Sequence, residues 1–286
     1  MACGIHTDGC AECWGYEDWV TDTGCDTGKW CDWGDEYPPA VPFVAISIPN
    51  DTYARGGYHG CGIDNAGELH CWGKDQSGQA TPPSGTAVEV ATNTAGSCAL
   101  DGSGGLTCWG DALYAEPAPV GGAFAGLAGG DSYMGVLDAS GTVNVWGYCS
   151  AGDSGCTVPS GAFSAISVAD ESCGLRADGT VDCWTPWTEP VYEPQLASGT
   201  PEGSWTAVCV GGRWGDLFAC ALDTTGRATC WGDSWNVDDT PGDLSFVDIT
   251  CGGEFACGLT ATGEVACWEE EPKPGVLPPG SFTYTW

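Results

Sequence analysis

Apolar and polar side chains alternate along this chain around a fixed glycine, and the pattern recurs. In FACALDTTGRATCWGD (Phe218–Asp233), Cys220, Leu222, Ala228 and Cys230 fall two apart on either side of Gly226. A period of two predicts strands, not helix. Seven copies share the layout: CGIHTDGCAECWG from Cys3, CGIDNAGELHCWG from Cys61, CALDGSGGLTCWG from Cys98, GVLDASGTVNVWG from Gly135, CGLRADGTVDCWT from Cys173, CALDTTGRATCWG from Cys220 and CGLTATGEVACWE from Cys257. Their starts lie 58, 37, 37, 38, 47 and 37 residues apart, and the two long gaps hold insertions at 16–42 and 185–205.

Each copy predicts a β-hairpin. With the first residue as position 0, position 6 is glycine in all seven: Gly9, Gly67, Gly104, Gly141, Gly179, Gly226 and Gly263. A three-residue hairpin loop ends in a left-handed residue, a conformation glycine adopts without strain. Position 0 then faces position 10, and position 2 faces position 8. Position 2 is Ile or Leu, from Ile5 to Leu259, and position 8 is Ala, Leu or Val. One face is therefore apolar, with a cysteine pair at its open end. The tryptophan at position 11 lies on the other face, from Trp14 to Trp268, opposite a residue that is small in six copies of seven. Room for an indole implies that both faces are packed. Sheets buried on both sides and repeated around a ring predict an all-β chain, a single seven-bladed β-propeller over residues 1–286.

One more strand precedes most hairpins: FVAISI from Phe43, AVEVAT from Ala87, FSAISVA from Phe163 and FVDIT from Phe246. The first hairpin has none, and the chain ends in PPGSFTYTW. Residues 282–286 are expected to complete the first blade and remove its open edge. The alternative is that they complete the blade of a neighbouring molecule and build a filament.

Six copies carry cysteine at positions 0 and 10: Cys3 with Cys13, Cys61 with Cys71, Cys98 with Cys108, Cys173 with Cys183, Cys220 with Cys230 and Cys257 with Cys267. The fourth has Gly135 and Val145 instead, the joint loss expected of a bonded pair. Opposed residues of an antiparallel pair lie within disulfide range, whereas a structural metal needs four converging ligands. Two further pairs, Cys25 with Cys31 and Cys149 with Cys156, are expected to staple loops. Cys209 and Cys251 fall on or beside the first strands of consecutive blades, with bonding left open, and Cys10 is the expected odd sulfur of nineteen. This density points to an oxidising compartment, hence an extracellular or cell-surface protein. MACGIHTDG does not read as a secretion signal, so either the signal lies outside this chain or Met1 is not the native start.

Seven Lys+Arg against 39 Asp+Glu give a formal charge of −32. That field repels phosphate backbones and anionic lipid, so nucleic acid is not an expected partner. No apolar run is long enough to span a bilayer, so no membrane insertion is expected.

The stretches GYHGCGIDNAGELHCWG and SCGLRADGTVDCWT resemble the regulator-of-chromosome-condensation repeat, and most closely its short bacterial form, read roughly as G..H.C.L..DG.V.CWG. The resemblance covers essentially the whole chain and implies a seven-bladed propeller. Members include a secreted β-lactamase inhibitory protein with a similar ring, which binds through loops on one propeller face. No inhibitory motif is matched here. The resemblance implies protein binding without catalysis, and a fold licenses no more than that.

Candidate binding residues lie in the insertions. Residues 16–42 carry Tyr16, Trp19, Trp30, Trp33 and Tyr37 among acids, suited to a protein interface or to stacking on sugar, or else self-packed over the rim. Residues 185–205 carry Trp187, Tyr192 and Trp205 amid prolines and glutamates. Asp8, Asp64, Asp101, Asp138, Asp178 and Asp223 sit beside the turns. They invite a calcium reading, but without the Asp-x-Asp-x-Asp-Gly loop, turn chemistry is the simpler role. Asp32, Asp35 and Glu36 form a weak cation candidate. His6, His59 and His70 make no spaced ligand set, and His59 is expected to pack. No nucleophile elbow, zinc-protease motif or P-loop is present, so neither catalytic residue, metal nor cofactor is expected. Asn50-Asp51-Thr52 is a glycosylation sequon, giving a possible glycan at Asn50. The reading is a non-enzymatic binding or structural propeller whose partner is another protein or itself. The alternatives are a filament or sheath subunit and a polysaccharide-active or carbohydrate-binding propeller.

Overall fold

A computed structural model describes residues 2–14, 38–49, 59–112, 118–131, 133–147, 158–185, 195–213, 216–232, 240–253, 255–269 and 282–285. The local event that builds it is the same seven times. Each position-6 glycine has φ between 81° and 90°, and its N–H donates to the carbonyl of position 3 at 2.8–3.0 Å, as in Gly67 to Asp64. Only a residue free of Cβ strain turns the chain this way cheaply.

The strands that result are β1 (Ala2–His6), β2 (Ala11–Trp14), β3 (Phe43–Ser47), β4 (His59–Asp64), β5 (Leu69–Gly73), β6 (Glu89–Thr92), β7 (Gly96–Leu100) and β8 (Leu106–Gly110). They continue with β9 (Phe124–Gly129), β10 (Tyr133–Asp138), β11 (Val143–Gly147), β12 (Ala165–Val168), β13 (Ser172–Leu175) and β14 (Val181–Trp184). A short helix, α1 (Gln195–Gly199), precedes β15 (Trp205–Arg213), β16 (Asp216–Asp223), β17 (Ala228–Gly232), β18 (Phe246–Cys251), β19 (Phe255–Thr260), β20 (Val265–Glu269) and β21 (Phe282–Thr285). They form seven three-stranded antiparallel sheets, the blades of a seven-bladed propeller. In blades 2 to 7 the strand before each hairpin is innermost, as in β3-β4-β5, and in blade 1 the sheet order is β2-β1-β21.

Hairpin register follows the alternation. Cys61 opposes Cys71, Ile63 opposes Leu69 and Gly60 opposes Trp72, and the other hairpins repeat this. Disulfides join Cys61–Cys71, Cys98–Cys108, Cys173–Cys183, Cys220–Cys230 and Cys257–Cys267, each with Cα atoms 4.0 Å apart. Cys3 is also disulfide-bonded and lies opposite Cys13. The other two expected pairs are not described: Cys25 and Cys31 lie in the span 15–37, and Cys149 and Cys156 in the span 148–157, both outside the described residues.

Between blades, the cysteine-bearing face of one sheet meets the tryptophan-bearing face of the next. Cys61, Ile63 and Leu69 pack with Trp109 and Val90, and Cys220, Leu222 and Ala228 pack with Trp268 and Phe246. Such burial stabilises by roughly 25 cal/mol per Å² of apolar surface. Blade 4 shows what replaces a missing disulfide. A Cβ added at Gly135 would meet Val168 at 3.0 Å and Ile166 at 3.1 Å, so the aliphatic side chains of blade 5 occupy the space.

A second role for the turn glycines appears only in three dimensions. The carbonyl of each accepts the N–H that opens the next blade's inner strand: Phe43 to Gly9, Ala87 to Gly67, Phe124 to Gly104, Phe163 to Gly141, Trp205 to Gly179, Phe246 to Gly226 and Phe282 to Gly263, all at 2.7–2.9 Å. At Gly9, Gly104, Gly141 and Gly226 the backbone approach is too close for a side chain. A Cβ on Gly226 would lie 2.4 Å from the Phe246 carbonyl oxygen, and one on Gly104 would lie 2.7 Å from that of Phe124. Gly121 also has positive φ, 78°, but nothing lies within 4 Å of its would-be Cβ. Gly121→Ala should therefore cost about 1 kcal/mol of backbone strain alone, and Gly226→Ala about 3 kcal/mol or more, because the inter-blade bond must also give. Guanidinium unfolding with the disulfides intact measures both; equal costs would remove the second role.

Candidate functional site

Three places on the ring can contact other molecules: a channel and two faces. The channel is a cavity of about 190 Å³ lined by the inner strands of blades 2 to 7, among them Ser47, Val90, Leu127, Ser167, Val210 and Ile249, and by Phe255. No ionisable Asp, Glu, His, Lys or Arg lines it among the described residues. These inner strands are sheet edges, whose N–H groups need acceptors. Side chains of the preceding blade supply some of them. Ser47 Oγ accepts from Thr92 N–H at 3.0 Å, the Glu89 carboxylate from Leu127 N–H at 2.9 Å, and Ser167 Oγ from Val210 N–H at 3.0 Å. Burial raises the Glu89 pKa, opposed by the Leu127 N–H.

Cys209 and Cys251, whose pairing the sequence leaves open, are bonded to each other across 42 residues. The bond ties the inner strands of blades 6 and 7 and lies on the channel wall. Both sulfurs lie within 4.8 Å of Cys220, but all three are oxidised and offer no thiolate to a metal.

The face at the hairpin turns is acidic. Asp64, Asp101, Asp138 and Asp223 each accept, through Oδ1, the N–H groups two and four residues on, at 2.7–3.1 Å. Their pKa values are lowered, first by a side-chain donor (His70, Ser103, Ser140 and Thr225 respectively) and then by these amides. Turn chemistry thus engages the carboxylates. Asp64, Glu68 and His70 have ligand atoms within 4.8 Å of one another, yet His70 Nε2 is 2.9 Å from Asp64 Oδ2, a cross-strand pair. Blade 5 places a basic side chain at the first position of this pair and an acid at the second, Arg176 to Asp182.

Buried polar links cross between blades nearer the opposite face. His59 Nε2 lies 2.9 Å from Ser97 Oγ, and that hydroxyl and the Trp109 indole N–H both donate to the Gln79 carbonyl. Tyr133 and Ser172 repeat the link between blades 4 and 5 at 2.7 Å. Burial holds the His59 imidazole neutral, its pKa lowered to about 4.

Tyr16, Trp19, Trp30, Trp33, Tyr37, Trp187 and Tyr192 lie outside the described residues, as does Asn50. The expected loop staples, Cys25–Cys31 and Cys149–Cys156, fall there too. Two expectations are corrected. Cys10 is disulfide-bonded, so the odd sulfur is not there. Trp205 is not a loop aromatic: it is buried, and it opens β15 where Phe43 opens β3.

A model of the regulator of chromosome condensation (RCC1) repeat matches residues 246–268. Yeast RCC1 (Prp20), solved bound to Kap60, superposes with a TM-score of 0.59 at 14% identity, covering 80% of this chain and 70% of that one. The repeats are of the regulator-of-chromosome-condensation type. Two further solved structures extend the comparison. Human WBSCR16 gives a TM-score of 0.58 at 14% identity over 94% of this chain and 87% of its own. The entire ectodomain of the receptor kinase CR4 from Physcomitrella patens gives 0.65 at 26% identity over 82% of this chain. The chain spans 66% of that ectodomain's length. No curated protein sequence matches the chain.

The RCC1-type hairpins carry a pH signature. His59 takes up a proton at 6.5 when unfolded but only at about 4 when folded. Its neutral burial therefore contributes fully above pH 6.5 and is lost progressively down to about 4. The turn aspartates, with lowered pKa, lose their contribution as pH falls below the usual carboxylate range, whereas Glu89 gains on protonation. His59→Gln, which keeps a donor toward Ser97, should flatten the decline between pH 6.5 and 4 by about 3 kcal/mol. Denaturant unfolding across that range measures it; an unchanged slope would contradict the assignment.

Proposed function

We propose that this chain is an extracellular or cell-surface, non-enzymatic propeller, residues 1–286 forming one ring that binds a protein partner through loops and insertions. The observation that carries the reading is the disulfide across each of five described hairpins, together with a sixth between blades. Such bonds persist outside the reducing cytosol. The likeness to the ectodomain of a receptor kinase supports the same placement. A channel wall without ionisable side chains among the described residues supports binding over acid–base chemistry. The net charge of −32 disfavours nucleic acid as partner. Tyr16, Trp19, Trp30, Trp33 and Tyr37 in the 16–42 insertion, with Trp187 and Tyr192 in the second, are aromatic anchors of the kind interfaces favour, and a glycan at Asn50 fits a secreted protein. With Cys3 paired to Cys13 and Cys10 bonded as well, the sulfurs left allow one of the staples Cys25–Cys31 and Cys149–Cys156, which would hold its loop in a fixed shape for such a contact.

Two measurements test this. Alkylation of unreduced, denatured native protein should label a single cysteine, since nineteen leave one after pairing; extensive labelling would contradict the oxidising location. Cross-linking in extracellular fluid should then join the intact protein to a discrete partner, and replacing 16–42 with a Gly/Ser linker should abolish the adduct. An undiminished adduct would remove the insertion from the interface.

A further inference from the structure

Large apolar side chains exposed at the surface are not scattered over this ring. Among the described residues they are Val44, Val88, Val120, Leu244 and Val247, at 47%, 64%, 94%, 39% and 60% exposure. All five lie where the chain enters an inner strand. Val44, Val88 and Val247 directly follow the residues whose N–H groups bond the turn glycines of the preceding blade. Leu244 adjoins Ser245, whose hydroxyl donates to Thr225 in such a turn. Val120 lies just ahead of Ala123, whose carbonyl accepts from Ala139 in another. The five therefore share the turn face, on the entries to blades 2, 3, 4 and 7.

The fold does not ask for valine there. In blades 5 and 6 the equivalent residues are Ser164 and Thr206, whose hydroxyls donate to the carbonyls of Leu175 and Leu222 at 3.0 and 3.2 Å. The backbone already bonds that carbonyl, as Val88 N–H does Leu100 and Ser164 N–H does Leu175. The hydroxyl therefore adds a second bond where the valine side chain makes none and leaves its methyl groups in water, a cost that an intermolecular contact would recover.

The apolar arc is interleaved with carboxylates: a Cβ on Gly102, next to Asp101, would touch Val88 at 3.9 Å, Glu68 is bridged to Thr86 beside Val88, and Asp243 adjoins Leu244. The cations described on this face, Arg176 and Arg227, belong to the hairpins of blades 5 and 6, and Arg176 is engaged by Asp182 and the Ser160 carbonyl. Carboxylates run round the whole face, Asp178, Asp182 and Asp223 included; exposed valine marks the entries to blades 2, 3 and 7, and hydroxyl those to blades 5 and 6.

We propose that this apolar, acidic arc of the turn face is the docking surface for a basic protein segment that presents aliphatic side chains flanked by Lys or Arg. The proposal rests on the binding reading above and adds a face and a partner chemistry to it. The methyl groups supply desolvated contact, and the carboxylates steer the partner and reject acidic competitors.

A labelled synthetic peptide alternating Leu and Lys tests it by fluorescence anisotropy with the full chain, against Ser–Lys and Leu–Glu peptides of equal length. The Leu–Lys peptide should bind about tenfold or more tightly than either control. The triple variant Val44→Ser, Val88→Ser, Val247→Ser should bind it no better than the parent binds Ser–Lys, with an unchanged unfolding midpoint, since Ser164 shows that serine fits the position. Equal binding of Leu–Lys by parent and variant, of Leu–Lys and Ser–Lys by the parent, or of no peptide at all, would overturn the proposal. If replacing 16–42 abolishes Leu–Lys binding while the valine variant retains it, the face assignment falls and the binding reading stands.

Discussion

The constraint on which this ring depends is a single hydrogen bond made seven times. The carbonyl of a turn glycine in one blade accepts the N–H that opens the inner strand of the next. It fixes where each new blade starts relative to the last, and it satisfies a donor that would otherwise end a sheet edge. It also explains why glycine holds the position so strictly. Positive φ would admit an occasional asparagine, but at Gly9, Gly104, Gly141 and Gly226 the neighbouring backbone lies where any Cβ would sit. Turn geometry and inter-blade contact thus make the same demand of one residue.

Packing then follows radially. Each disulfide stiffens the outer part of a blade and presents an apolar surface to the next blade's indole, while side chains such as Ser47, Glu89 and Ser167 attend to the inner edge. Where blade 4 lacks its cysteines, Ile166 and Val168 from blade 5 fill the volume. Between blades 6 and 7 an additional bond, Cys209–Cys251, crosses at the channel. A ring held this way leaves its loops and strand entries free to vary, which is where exposed valine stands in place of hydroxyl on an acidic turn face. Rigid scaffold and variable rim suit a binding protein.

Much of the fold was legible because a period of two, pinned by a glycine, allows one pairing register and no other. Cys61 opposite Cys71 and Gly60 opposite Trp72 could be counted out before any coordinates. What escaped was whatever joins one repeat to another. FTYTW matches the other inner strands poorly, yet Phe282 occupies the place of Phe43 and Phe246, opposite position 3; the anchoring group is a backbone N–H, which leaves no side-chain signature. Trp205 was hidden in a long gap for the same reason. Cys209 and Cys251 are 42 residues apart, a distance that only ring curvature closes. The exposed valines were illegible too, since FVAIS reads as a buried strand and the bulge that turns Val44 outward depends on the turn of the blade before. Tyr16, Trp19, Trp30, Trp33, Tyr37, Trp187 and Tyr192, the most conspicuous candidates in the sequence, lie outside the described residues.

Native-state hydrogen exchange of the seven anchoring amides, at Phe43, Ala87, Phe124, Phe163, Trp205, Phe246 and Phe282, tests the central claim most directly. All seven should be protected as one set, Phe282 included, because the last bond closes the same ring as the other six. Exchange of Phe282 at the rate of an open loop, while the others hold, would show that the circle is not sealed by its own final strand.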